Sequence, residues 1–468
     1  MEIGREFVVA AAWACFSVMA IRNSATFVQL LVAARVFVTR ERPASRAAEL
    51  WPRFEEVAPA ITVVAPAFNE ELSIADSVRA LLALEYPDHQ VLVVNDGSTD
   101  RTLDVLIQTF ALRRASVQQF ATLQVTDIRG VYRSEEHPNL IVVDKQNGRK
   151  ADAVNAGLGF VSTPLVCVID ADSIIEPDGL LRAAEPFLSD NGSLVAVGGA
   201  IRIVNGCKVE GGSLREIGLP KDWLPRFQVV EYIRAFLMAR VATAHLDSLT
   251  LISGAFGLFR RDVLIEIGGY RHDTLAEDLE LLVRLHRKMR DTNRDYEIEF
   301  VPEVVCWTEA PSTWGGLKNQ RARWQQGALE TIGGHRKMLF NPRYGRIGMV
   351  MMPQVILEDV IGPPAELLGY FLLPAAWALG IFPGEALLAF LALTVAFGMS
   401  ASVCALALEE AQLRRTPTPQ DLARLAVAAL IENLGYRQAN LVFRMIGIKR
   451  HLRRQTAWSS VPRMGFSS

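Results

Sequence analysis

The 468-residue chain has few of the residues that build metal and disulfide frameworks. Its five cysteines, Cys15, Cys167, Cys207, Cys306 and Cys404, lie far apart and form no C-x-x-C pair. That spacing argues against a zinc site or a disulfide scaffold and predicts structural thiols in a reducing compartment. The seven histidines show no metal-ligand spacing either. An excess of one charge is also missing, since 49 Lys and Arg stand against 51 Asp and Glu for a formal net charge of −2. Such a balance leaves no electrostatic footprint for nucleic acid, which is not expected as a partner. Nor does the amino terminus read as a cleavable signal. Its apolar stretch FVVAAAWACFSVMAI is followed by Arg22 and Asn23, and then by more apolar sequence to Val38.

Apolar residues are abundant, at 50% of the chain, and the mean hydropathy of +0.19 is high for an ordinary soluble enzyme. The excess collects in residues 7–38 and 347–447. Residues 1–40 are read as an amino-terminal membrane anchor, either one long helix with a polar waist or a short hairpin. Arg40, Arg42 and Arg46 follow it, so the positive-inside rule puts the next domain, 55–340, in the cytoplasm. Residues 347–363 carry Glu358, Asp359 and three prolines and suit an interfacial or broken helix. Residues 364–448 read as carboxy-terminal spanning and interfacial helices, with 365–382 and 386–408 the strongest spans. Arg414 and Arg415 follow the second span. The stretch Leu422–Ile448, with Glu432, Asn433, Arg437 and Gln438 inside it, suits an interfacial or re-entrant element. By span length the total is about three to five helices. A basic tail, 449–468, closes the chain; Trp458 and Arg463 within it read equally as a gating segment or an interfacial anchor.

From Ala60 the texture changes to alternating α/β. ITVVAPAF, QVLVVNDGS, IVVDKQNGRK and LVCVIDADS read as buried strands, with helices over Glu71–Leu84 and ADAVNAGLGFV between them. Short β-branched runs separated by helices predict a parallel sheet covered on both faces. The polar stretch Ala111–Pro138 reads as a loop or small insertion. GSLVAVGGAIRIVNG reads as a strand pair, and FQVVEYIRAFLMARVA and LAEDLELLVRLHRKM as helices. In such sheets ligands gather at the carboxyl ends of the strands, where Asn69, Asp96, Asp170 and Asp172 all fall.

Two aspartates at the end of CVIDADSII pose a physical problem, because neighbouring carboxylates repel and are costly to bury. A divalent cation resolves it: hard carboxylate oxygens at Asp170 and Asp172 suit Mg2+ or Mn2+. Mg2+ commonly completes its shell with water and substrate phosphate, so a diphosphate substrate is implied. Taken alone, D-x-D reads equally as a capped turn.

The motif has company. APAFNEE at 65–71, VVNDGSTD at 93–100, KQNGRKADAVNAG at 145–157, VIDADS at 168–173, AEDLEL at 276–281 and QRARW at 320–324 occur in this order. Together they resemble the membrane-bound family 2 inverting glycosyltransferases of GT-A fold, the group that includes cellulose, chitin and hyaluronan synthases. The resemblance implies an α/β fold, a Rossmann-like mixed sheet flanked by helical membrane segments at both ends. It implies that Pro66, Phe68, Glu70 and Asp96 line the nucleoside pocket, with Asp96 holding the base. Phe68 stands where the family more often has tyrosine, so a hydroxyl contact is lost or replaced while stacking is kept. Lys150 matches a lysine near the nucleotide, and Arg149 replaces the glycine before it. Asp170 and Asp172 become the nucleotide and metal acids, and Asp278 matches the catalytic base. Gln320, Arg323 and Trp324 match Q-x-x-R-W, with the arginine offsetting charge on the leaving diphosphate and the indole forming a platform for the acceptor. SGAFGLFRR resembles an acceptor-side segment in which Gly254 and Gly257 permit close backbone approach. Glu277 and Glu280 read instead as exposed helix charges paired with Arg284.

These readings converge on an integral inner-membrane glycosyltransferase with a cytoplasmic active site. The expected donor is a nucleotide-sugar, UDP-linked, and the acceptor a growing polysaccharide or a lipid-linked sugar. Mg2+ or Mn2+ would be the cofactor, the bilayer a partner, and an export complex a further one. A single-transfer enzyme acting on lipid is the enzymatic alternative, and a silent nucleotide-binding receptor the alternative from another class. Retention of Asp96, Asp170, Asp172 and Asp278 together speaks against the receptor. No basic regulatory domain of the cyclic-dinucleotide type is apparent after the membrane segments, so such control is expected from a partner.

Overall fold

Runs of Val, Ile and Leu become the strands of one ten-stranded sheet in a computed structural model describing residues 2–39, 51, 57–170, 172–413 and 416–455. The strands are β1 (Ile61–Ala67), β2 (His89–Asp96), β3 (Leu112–Arg114), β4 (Ile128–Ser134), β5 (Leu140–Lys145), β6 (Leu165–Ile169), β7 (Ile174–Ile175), β8 (Leu194–Ile203), β11 (Phe256–Arg260) and β12 (Glu297–Thr308); β9 (Lys208–Glu210) and β10 (Ser213–Glu216) form a separate hairpin. The order is β3-β4-β5-β2-β1-β6-β11-β8-β12-β7. At its centre β5, β2, β1 and β6 run parallel, in registers such as Val63↔Val91 and Val63↔Cys167. β11 is antiparallel to both β6 and β8, so the sheet is mixed, not all-parallel.

Two stretches differ from their sequence reading. Ala111–Pro138 contains β3 and β4, which pair antiparallel at the sheet's edge. Only two of β4's seven residues are buried, so the apolar signal of a central strand is missing there. GSLVAVGGAIRIVNG supplies one long strand, β8, instead of a pair. Gly198 and Gly199 lie mid-strand, and glycine suits Gly199 because a Cβ there would stand 2.3 Å from a Val305 methyl.

The chain divides into two compact units. The sheet belongs to the first, made from the chain after the amino-terminal helix up to Pro220 together with Leu249–Ala310. Lys221–Ser248 and the chain from Pro311 join the amino-terminal helix in the second, so the span 55–340 is shared between the units.

In the helical unit the amino terminus is one unbroken helix, Glu2–Thr39, not a hairpin. Its polar waist is engaged: Arg22 meets Glu366 at 2.6 Å, and Asn23 donates to the Leu393 carbonyl. Residues Ile347–Ala378 are helical throughout, passing through π-helical segments at Ile347–Met351 and Ile356–Ile361. Helices Pro419–Ile431 and Tyr436–Leu452 are separated by a break at Gly435, whose φ is 105°. Among the described residues, two helices, Arg5–Thr39 and Gly384–Gln412, are long and apolar enough to cross a membrane. Arg40, Arg42, Arg46, Arg414, Arg415, Trp458 and Arg463 lie outside the described residues.

Candidate active site

The parallel strands deliver polar residues to one edge of the sheet. Asp96 closes β2 and Lys145 closes β5, and the two are register partners. Lys145 is fully buried, a state that an ammonium tolerates only when paired. Its Nζ lies 2.8 Å from Asp96 Oδ1, contacts Asp152, and donates to Thr126 Oγ1 at 2.7 Å. Asp96 Oδ1 also accepts from the Gly148 amide at 2.9 Å, while Asn147 donates to the Asp96 carbonyl at 2.8 Å. Gly97 permits this approach: at φ 66°, a Cβ there would stand 2.6 Å from the Asn147 nitrogen.

The loop after β1 is stitched to the loop after β2. Asn69, at φ 58°, accepts from the Thr99 amide at 2.8 Å and donates its own amide to Ser98 Oγ at 3.0 Å. The Glu70 amide donates to Thr102 Oγ1, and the Glu70 carboxylate accepts from Ser73 Oγ at 2.7 Å. Pro66 is buried two residues beyond the last β6 partner, Val64↔Val168, so its missing N–H removes no bond to that neighbour. Phe68 is half-exposed beside it.

A second cluster gathers four segments of the same unit. Lys150, on the helix Arg149–Phe160, lies 2.6 Å from Asp170 Oδ1 and 3.2 Å from Glu277 Oε1, with the Gly254 carbonyl at 3.4 Å. Asp278 Oδ2 accepts from the Gly254 amide at 3.1 Å, and Oδ1 from the Leu279 amide at 2.8 Å. Gly254 is thus wedged between acid and base; a Cβ there would meet Lys150 Nζ at 2.6 Å. Burial, then Glu277, push the Asp278 carboxyl above the usual range, against the opposing charge of Lys150. Burial disfavours the Lys150 ammonium, but Asp170 and Glu277 outweigh it and raise its pKa.

Glu277 therefore does not pair with Arg284. Glu280 does, at 2.9 Å, but as a buried residue whose Arg284 also donates to the Gly269 carbonyl at 2.6 Å. Sequence reasoning also passed over Lys145, Asp152, Asn155 and Tyr270. Asn155 holds the Tyr270 backbone twice, at 2.7 and 2.8 Å. Tyr270 itself is buried; burial raises the phenol's pKa, which also feels Lys150, Glu277, Asp278 and Asp170. Lys145, Asp152 and Asn155 all fall within KQNGRKADAVNAG, and a lysine ending a buried strand is the same signal that singled out Asp170.

Asp170 follows β6, and Asp172 is buried in the turn before β7. That turn is tied to β12 by the pairs Ile174↔Trp307 and Ile175↔Cys306 and by the Glu176 amide on the Val305 carbonyl. Among the described residues no group of three or more His, Cys, Asp or Glu is placed to hold a metal. The donor set is instead two carboxylates, Asp170 and Asp172, which fits a cation that takes its other ligands from phosphate and water. Cys306 lies under this turn with its thiol pushed up by burial, and all five cysteines are free.

Gln320, Arg323 and Trp324 lie in the helical unit, on the helix Trp314–Gly334. Spacing of i, i+3 and i+4 puts them on one stripe of it. Gln320 Oε1 is buried without a hydrogen-bond partner, and Trp324 is 39% exposed.

The sequence model of the family described as Glycosyltransferase like family 2 matches residues 59–327, a span containing every one of these residues. The chain is 28% identical over 296 residues to a poly-β-1,6-N-acetyl-D-glucosamine synthase of Staphylococcus epidermidis, covering 63% of this chain and 61% of the relative. It is 29% identical over 273 residues to the synthase of the same name from Staphylococcus aureus, covering 58% of this chain and 55% of the relative. The chain thus spans a little over half the length of the curated relatives it matches. Among solved structures, a mannosyltransferase from Pyrobaculum calidifontis, in complex with GDP-Man and Mn2+, matches with a TM-score of 0.53 at 18% identity, over 95% of this chain and 99% of that one. At that identity the likeness is one of fold.

Proposed function

The chain belongs to the family 2 glycosyltransferases and carries their GT-A fold, and from that premise we propose that it is a multi-pass membrane enzyme building a polysaccharide. In this reading it transfers a sugar with inversion from a UDP-sugar to the growing chain. The names of the two staphylococcal relatives make UDP-N-acetylglucosamine the first donor to test. The observation that carries the reading is the cluster in which Lys150 holds Asp170 and Glu277 while Asp278 is fixed on the Gly254 amide.

Asp278 removes the proton of the acceptor hydroxyl as that oxygen bonds to the anomeric carbon, and the bond to the diphosphate breaks on the opposite face. Burial raises its pKa, which makes the carboxylate a stronger base towards the acceptor hydroxyl. Lys150 and Arg323 offset charge on the departing diphosphate. Pro66, Phe68, Glu70 and Asp96 line the nucleoside, with Lys145 fixing the Asp96 carboxylate. Asp170 and Asp172 would hold Mg2+ or Mn2+, which would supply positive charge to the diphosphate. Gln320 and Trp324 bind the acceptor. The apolar helices Arg5–Thr39 and Gly384–Gln412 support residence in the inner membrane, and the basic residues after the first support a cytoplasmic active site. Proteins of an export complex are its proposed partners.

Membranes containing the protein, given radiolabelled UDP-sugars and Mn2+, are expected to yield polymeric product, which EDTA abolishes. Label confined to lipid would select the single-transfer alternative. Donor binding without hydrolysis or transfer would leave only the silent receptor. Asp278→Asn is expected to lose transfer by at least 100-fold while still binding UDP; normal turnover would remove Asp278 as the base.

A further inference from the structure

The arginine inside Q-x-x-R-W that the motif leaves unspecified, Arg321, is buried and held by its neighbours in the helical unit. It is 6% exposed, and its Nη2 donates to Glu231 Oε2 at 2.9 Å. Tyr436 Oη donates to that same oxygen at 2.5 Å. Glu231 and Tyr436 belong to the helical segments Trp223–Ile233 and Tyr436–Leu452, so three segments of one unit converge on this guanidinium.

The other side of the guanidinium faces an indole. Its carbon lies 4.4 Å from the centroid of the Trp324 ring, within cation–π range. Arg321 and Trp324 are three residues apart on one helix, so the stacking follows from helical spacing. Arg321 Nε is buried with no hydrogen-bond acceptor, which leaves the indole face as the neighbour that compensates it. Arg321 and Tyr436 are buried, Glu231 is partly exposed and Trp324 is exposed, so the guanidinium joins the carboxylate and the phenol to the indole. An indole on a helix surface would otherwise be free to change χ1 and χ2. Here one face is covered by a cation that Glu231 and Tyr436 hold in place.

We propose that Arg321 is a positioning residue that fixes the plane of Trp324, so that the indole's open face is presented ready-made to the acceptor sugar. This rests on the reading of Trp324 as the acceptor platform. The charge has a second effect: a cation on one face withdraws electron density from the ring and tunes its stacking against a sugar. Arg321 itself touches no substrate in this scheme and acts only through Trp324.

The test uses the full-length enzyme in detergent, with UDP-N-acetylglucosamine as donor and an N-acetylglucosamine oligomer as acceptor. 5-Fluorotryptophan labelling, with Trp324→Phe identifying the resonance, reports the state of the indole by 19F NMR. Arg321→Met is expected to shift and broaden that resonance and to raise the acceptor KM roughly tenfold, with donor KM and donor hydrolysis unchanged. Arg321→Lys, which keeps the cation, is expected to recover at least part of both effects. Glu231→Gln leaves the arginine in place but loosens its anchor, and is expected to give the same pattern more weakly should Arg321→Met fail to fold. An unchanged resonance and acceptor KM in Arg321→Met, or in Glu231→Gln if only that variant folds, would overturn the proposal while leaving the platform reading intact. Failure of Arg321→Lys to improve on a folded Arg321→Met would also overturn it. Full acceptor-dependent transfer by Trp324→Ala would remove the platform reading, and the proposal with it.

Discussion

Arg149 occupies a position where the resembled family carries glycine, and its backbone explains why glycine suits it. Its φ of 72° lies in the left-handed region, at the first turn of the helix that carries Lys150, Asp152 and Asn155. A side chain there costs about 1–2 kcal/mol in steric strain. Glycine removes that cost but loses about 0.5–1 kcal/mol through its freer unfolded chain. Strain is the larger effect, so Arg149→Gly is expected to raise the melting temperature by about one to three degrees without loss of transfer. Thermal unfolding of the purified protein checks it, and a lower melting temperature would mean that the exposed guanidinium makes contacts outweighing the strain. Individual residues also show where sequence reasoning stopped. Asp170 and Asp172 stand out because two carboxylates at the end of an apolar strand are costly to bury without a partner, and Asp278 stands out through its match to the family's catalytic base. Glu277 and Glu280 carried no such contrast. Three residues apart near the start of a helix, they looked like equivalent surface charges, and only tertiary packing sends one to Lys150 and the other to Arg284.

Strands with β-branched runs were legible as elements because β1, β2, β5 and β6 are buried on both faces along most of their length. Strand β4, next to the sheet's edge, and the Gly-Gly of β8 were not, since one lacks a continuous apolar run and the other depends on a neighbour, Val305, more than a hundred residues away. The helix Glu277–Asp291 was legible, but what aims it was not. His286, 2% exposed on that helix, has Nε2 2.7 Å from the Leu249 carbonyl and Nδ1 2.7 Å from Tyr296 Oη. These contacts suit a neutral ring that donates from Nε2 and accepts at Nδ1, and they tie the helix bearing Asp278 to the segment leading to Gly254. Burial, foremost, lowers the ring's pKa from 6.5 to about 4. A depressed folded pKa means that the unfolded chain takes up the proton first. The stabilisation is therefore complete above about pH 6.5 and is lost as pH falls towards 4, amounting to about 3 kcal/mol. The melting temperature is expected to fall steeply across that window in the native protein and less steeply in His286→Gln. Parallel slopes would exclude the ring as their source.

Charge buried within an apolar helical unit is the feature of the whole chain that composition announces least. Arg22 and Asn23 read as the polar waist of an anchor, and Glu366 lies within a stretch read as a span. In the folded unit Glu366 is fully buried between two arginines, 2.6 Å from Arg22 and 3.0 Å from Arg437, so residues more than 400 positions apart share one carboxylate. Three helices, Glu2–Thr39, Gly362–Ala378 and Tyr436–Leu452, are thereby fixed in register. An apolar helix packs against its neighbours in many registers of similar energy, whereas a shared buried carboxylate accepts one. Such a triad gives specificity more readily than net stability, because desolvating the charges offsets much of their attraction. Removing one partner and removing all three therefore have different consequences. Glu366→Gln leaves two partly buried guanidinium groups without their counter-charge and is expected to cost about 3 kcal/mol, the low end for breaking a buried pair because both arginines keep some solvent contact. The triple change Arg22→Met, Glu366→Met and Arg437→Met removes every charge and is expected to recover most of that loss. Melting curves of both variants in one detergent, alongside disulfide trapping between cysteines placed on the first and last of these helices, separate stability from register. The triple variant is expected to melt near the native protein while cross-linking at more than one register. A triple variant as unstable as Glu366→Gln, or one that still cross-links in a single register, would show that packing of the apolar residues, not the shared carboxylate, sets how these helices align.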